Sequence, residues 1–191
     1  MMTIRRQQWR ISAGAIAALV MVGCGPSKVS QCNQLADVVN QTQGFMQDFE
    51  TEIQSFSQNA SQVNSLEDIK SAAGQYTTAV DKVVTNLDTM VTDLQETELQ
   101  DETLVTFRDQ YIEVVDGFSS ALQEASSAMD LVVEVESEAD LPGRIEESQQ
   151  QTMSAVSAIE NLSATEAELI SNVNSYCGAA PTEENPEASP E

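Results

Sequence analysis

The chain is 191 residues long and carries 31 acidic against 8 basic side chains and no histidine, a formal net charge of −23. So acidic a chain repels polyanions, which excludes nucleic acid and anionic membrane faces as partners held by charge. Without histidine there is no Ser-His or Cys-His nucleophile, no Glu-x-x-His pair for a di-iron site, and the commonest zinc ligand is missing.

The first element is an export signal. Arg5, Arg6 and Arg10 form a basic head, and Ile11 to Val22 is a compact apolar run too short to span a bilayer stably. The run closes on Leu19-Val20-Met21-Val22-Gly23-Cys24, where an ordinary signal would end on Ala-x-Ala. This stretch resembles the signal of bacterial lipoproteins, whose cleavage box is an apolar residue, two small or apolar residues and a cysteine. Gly23 and Cys24 match that pattern, and Met21 stands where leucine is usual. The resemblance implies that residues 1–23 are cleaved and that Cys24 becomes the first mature residue. It further implies a diacylglycerol on the Cys24 thiol, with a fatty acyl chain such as palmitate available for its amine. Each buried CH2 of such chains contributes about 0.8 kcal/mol, so two or more chains anchor firmly. The expected location is the bacterial cell envelope, on the extracytoplasmic side. Residues 24–30 are then a lipidated tether, and the sequence beyond the leader holds 5 bases against 31 acids, a net of −26.

Residues 31–178 read as one all-α domain of four long amphipathic helices. In the first, Leu35, Val38, Thr42, Phe45, Phe49, Ile53, Phe56, Ala60 and Val63 recur at spacings of three and four. The second carries Ile69, Ala73, Tyr76, Val80, Val83, Leu87, Met90 and Leu94, after a Ser65-Leu66-Glu67-Asp68 capping signature. The third runs Leu104, Phe107, Tyr111, Val114, Phe118, Ala121, Ala125, Ala128 and Val132. Val132, Val133 and Val135 alternate like a strand, and the helix reading is preferred there. The fourth opens at Asp140-Leu141-Pro142-Gly143, with proline acceptable in a first turn. It continues through Ile145, Ser148, Thr152, Val156, Ile159, Leu162, Leu169, Val173 and Tyr176, and Gly178 is placed to cap it. Ser163-Ala164-Thr165-Glu166 could break it with a fresh cap. A mean spacing of 3.5 is the seam of helices packed at shallow angles. Helices of about 30 to 37 residues joined by short connectors predict an elongated up-down-up-down four-helix bundle, about 45 to 55 Å long. Residues 179–191 are Pro- and Glu-rich without apolar periodicity and read as a disordered acidic tail.

Cys32 and Cys177 fall at the start of the first helix and the end of the fourth, which share one end of such a bundle. In an oxidising compartment they are expected to form a disulfide. Only residues 25–31 separate Cys24 from the first helix, about 25 Å at full extension, so the disulfide end should face the membrane. The far tip then carries Glu134, Glu136, Glu138 and Asp140, a candidate cation-attracting or partner-binding tip that lacks the spacing of an EF-hand loop. Phe45, Phe49, Phe56 and Tyr76 read as core, and Met46, Met90, Met129 and Met153 as core fillers. Trp9, the only tryptophan, leaves with the signal.

No catalytic residue, metal ligand or cofactor follows from these patterns beyond the lipid on Cys24. The expected function is non-enzymatic: a lipid-anchored helical scaffold that binds an unidentified protein. The alternatives are a ligand-binding or sensor-like bundle with an apolar cavity, or an accessory subunit of a membrane complex.

Overall fold

The computed structural model describes residues 26–178, apart from the side chains at 43, 45, 46, 48, 50, 57 and 60. These residues are all-helical: α1 (Lys28–Val39), α2 (Thr42–Ala60), α3 (Leu66–Glu96), α4 (Glu102–Val133) and α5 (Leu141–Cys177). No described helix is long and apolar enough to cross a membrane.

The three long helices form the body. At 1.5 Å per residue, α3, α4 and α5, with 31, 32 and 37 residues, are about 46 to 56 Å long. Short connectors turn each back on the last, so α3 packs on α4 and α4 on α5. The seams are those of the sequence periodicity: Val80, Val83, Leu87, Met90 and Leu94 on α3, and Leu104, Tyr111, Val114, Ala121, Ala125 and Ala128 on α4, are buried. Each fully buried Leu or Met contributes about 1.5 to 3 kcal/mol by leaving water. Small residues are among those buried on both α4 and α5: Ser119, Ala121, Ala125, Ser126 and Ala128 on α4, and Ser148 and Ala155 on α5. At Gly117 a Cβ would lie 2.7 Å from Leu162 Cδ2, so the absent side chain is what lets the two helices approach there.

The helix ends follow their local chemistry. Ser65 Oγ accepts from the Asp68 amide (3.2 Å), and the Asp68 carboxylate accepts from the Asn64 amide (3.1 Å), a reciprocal cap at the start of α3. Asp101 caps α4 by accepting from the Thr103 and Leu104 amides. Pro142 lies in the first turn of α5, and Gly178 ends that helix with φ 76°, a conformation that suits glycine.

Three expectations change, and a fourth point left open by the sequence resolves. The first predicted helix is two helices, broken at Asn40–Gln41. Asn40 ends α1, and the Thr42 hydroxyl donates back to the Val39 carbonyl, so local polar bonds take over where the helical ladder stops. Second, α1 begins at Lys28 rather than at residue 31, because Ser27 Oγ accepts from the Ser30 amide (3.2 Å) and caps it. The link to residue 24 shortens accordingly. Third, α4 stops at Val133, and Val135 is a buried plug in the connector. Fourth, α5 runs unbroken through residues 163–166, where Thr165 Oγ1 donates to the Asn161 carbonyl within the helix.

The break sets the course of the first leg. α1 packs against α3, α4 and α5, whereas α2, among the described residues, packs along α3. No described side chain of α2 is fully buried; Phe49 and Phe56 are half-buried, and the Phe56 ring lies 5.5 Å from Tyr76.

Candidate functional site

The end of the molecule nearest residue 24 is tightly tied. The Cys32 and Cys177 sulfurs lie at disulfide distance, with Cα atoms 6.0 Å apart and a sequence separation of 145. Beside them Gln31, 4% exposed, donates to the Pro26 carbonyl (3.0 Å) and accepts from the amides of Gln100 and Asp101. One glutamine on α1 thereby closes the connector between α3 and α4. The Tyr176 hydroxyl donates to the Asp101 carboxylate (2.9 Å), Lys28 sits 3.5 Å over the Tyr176 ring, and Phe107 meets that ring edge-on at 5.9 Å. The bond from Tyr176 is the main reason the Asp101 carboxyl is held below its ordinary value; the Leu104 and Thr103 amides and the Lys28 charge act in the same direction. Cys24, where lipid is expected, lies outside the described residues, as do Trp9, the segment 1–23 expected to be cleaved and the tail 179–191.

At the opposite end, Glu134, Glu136, Glu138 and Asp140 are all exposed. Lys70 of α3 reaches across to the Val135 carbonyl (3.1 Å), and Asp140 accepts from the Ser137 hydroxyl (2.7 Å). Arg144 pairs with Glu147 at 2.9 Å. No group of acidic or thiol side chains among the described residues could hold a metal ion. The acids stand in solvent as a charged end.

Between the helices lies a feature that no sequence motif announced, a partly open apolar cavity of about 270 Å³. Leu87 and Met90 of α3 and Val115 and Phe118 of α4 form its floor, Phe49 of α2 covers one side, and Ile159, Ser163 and Glu166 of α5 line the other. Its polar feature is a pair: the Tyr111 hydroxyl, on a residue 4% exposed, donates to Glu166 Oε1 at 2.8 Å. Burial first, and then the Glu166 charge, push the Tyr111 hydroxyl far above its ordinary value, so it stays a proton donor.

The cavity follows from the bend in the first leg. Cys177, Ile170, Ser163 and Val156 recur every seventh residue and lie on nearly one line of α5. At Cys177 that line is clasped to α1; beyond the break it is uncovered, with Ile170 36% and Val156 47% exposed. Val156, expected in the buried seam, is therefore exposed, and Ala155 takes the buried place. Met153, expected in the core, is 71% exposed, whereas Met90 is buried as expected. The signal for the cavity was present in residues 163–166: serine and glutamate stand where a filled seam would place large apolar side chains.

Scanned against protein-family models, and searched against curated proteins and solved structures, the chain matches none.

Proposed function

We propose that this chain is a lipoprotein of the bacterial envelope. Lipid on Cys24 would anchor it on the extracytoplasmic side, and it would be folded as an up-down-up-down four-helix bundle whose first leg is broken in two. Its function is binding without chemistry of its own, as a helical interaction module presented to a protein partner. One observation carries the reading. The pair at disulfide distance, Cys32 and Cys177, lies at the end where the described residues begin, with α1 starting at Lys28, four positions after Cys24 in the sequence. A disulfide of this kind suits an oxidising compartment, and a short link holds the bundle close to its anchor. The lack of histidine supports a non-catalytic role.

The anchor is tested by metabolic labelling with an alkynyl fatty acid. Label should be lost, and the protein released from membranes, in Cys24→Ser. Label retained in that variant would overturn the assignment. The binding role is tested by crosslinking in native membranes and recovery through a tag on residues 179–191. A single reproducible partner supports it, and an abundant acylated protein with no partner above background counts against it.

A second reading, a ligand-binding bundle, is favoured by the apolar cavity beside Tyr111 and Glu166.

A further inference from the structure

Among the described residues Glu166 has no cation to pair with. Five basic side chains lie in residues 26–178, and each is engaged elsewhere. Lys28 covers the Tyr176 ring, Lys70 holds the Val135 carbonyl, Lys82 pairs with Glu52, Arg108 with Asp109 and Arg144 with Glu147. Tyr111 supplies one neutral hydrogen bond, to Oε1. Glu166 is half-buried beside apolar side chains, and a carboxylate so placed gains a charge-assisted hydrogen bond from a positive partner.

Resting on the second reading above, we propose that the cavity binds a small cationic amphiphile, an aliphatic or aromatic amine whose ammonium meets Glu166 while its apolar body lies against Leu87, Met90, Val115 and Phe118. The volume of about 270 Å³ suits a body on the order of ten non-hydrogen atoms, given that a 150 Å³ apolar cavity takes benzene. Charge complementarity favours the same class, because the net of −26 beyond the leader raises the local concentration of cations and depletes anions. Entry is along the uncovered line of α5, where Ser163 is exposed between Val156 and Ile170. Tyr111 acts as a positioning residue: its hydroxyl fixes Oε1 and leaves the second carboxylate oxygen for the ligand.

The test uses the complete chain beyond the leader, residues 24–191, with Cys24→Ser so that no detergent competes for the cavity. Octylamine, 1-octanol and octanoate are titrated calorimetrically at physiological salt; they share a chain and differ in the head. The expected result is octylamine at least tenfold tighter than octanol, octanoate weakest, and the amine's advantage lost in Glu166→Gln, as removal of a charged hydrogen-bond partner requires. A larger side chain at the exposed mouth, Ser163→Leu, should abolish binding of both octylamine and octanol without unfolding the protein. Equal affinity for amine and alcohol, unchanged in Glu166→Gln, overturns the cationic assignment and leaves a cavity for neutral apolar ligands. Amine binding that survives Ser163→Leu is adsorption to the acidic surface and overturns the proposal. No binding of any probe overturns both the proposal and the ligand-binding reading.

Discussion

Gly74 and Gly117 both interrupt long helices, and their surroundings separate them. A Cβ at Gly74 would meet no atom within 4 Å, whereas one at Gly117 would press on Leu162. Gly74→Ala should therefore raise stability by about 0.5 to 1 kcal/mol, through better helix propensity and a less free unfolded chain. Gly117→Ala should gain less, because Leu162 must turn aside; urea unfolding of the two variants side by side checks the order. Asp101 gives a second prediction. Its carboxyl titrates below the ordinary value in the folded protein, chiefly through Tyr176. The stability it adds is complete above the unfolded value and is lost as pH falls through the lower folded one. Removing the hydroxyl in Tyr176→Phe should flatten the acid limb of the stability curve, read as melting temperature from about pH 5 down to about pH 2. An acid limb identical to that of the unsubstituted protein would show that Tyr176 does not hold the carboxylate.

Among the elements, α3, α4 and α5 were legible in the sequence from their seams and ends. Ser65 and Asp68 open α3, Pro142 and Gly178 bracket α5, and the buried residues of α3 and α4 follow the three-four spacing, whereas on α5 Ala155 is buried in place of Val156. The break between α1 and α2 was not legible. The apolar spacing runs through it from Val38 to Thr42, and what interrupts the helix is a few hydrogen bonds at Asn40 and Thr42, to which periodicity is blind. The cavity was legible only in Ser163 and Glu166, since the rest of it depends on where the broken leg goes. Gln31 was hidden for a similar reason: a polar residue beside the seam reads as exposed until its three partners are in place. The Cys32–Cys177 link binds the first element to the last. Closing 145 positions, it should contribute on the order of 4 to 5 kcal/mol in the chain-entropy account, and strain would lower that figure. Melting with and without reductant measures it, and a change under about 1 kcal/mol would mean that the base contacts of Gln31 and Asp101 suffice alone.

The whole molecule is governed by its own charge. Three ion pairs are formed among the described residues, all at the surface, and such pairs contribute at most about 1 kcal/mol each. The remaining acids repel one another. Raising salt from about 10 mM to about 500 mM shortens the screening length several-fold. It should raise the melting temperature, because relief of repulsion outweighs the few attractive pairs lost; a fall would mean that the pairs matter more than the net charge.

The clasp at the base has a mechanical meaning as well. With Cys32 and Cys177 bonded, a pull applied at residues 26 and 178 would run through that one bond and bypass most of the helices between. The folded body hangs beside the line of force and bears none of it. Reduction would put the body in series with the load and, on unfolding, release roughly 500 Å of slack at 3.3 to 3.6 Å per residue. For as long as that bond stays oxidised, residues 26 and 178 would stay close together under load and the helices between would keep their packing.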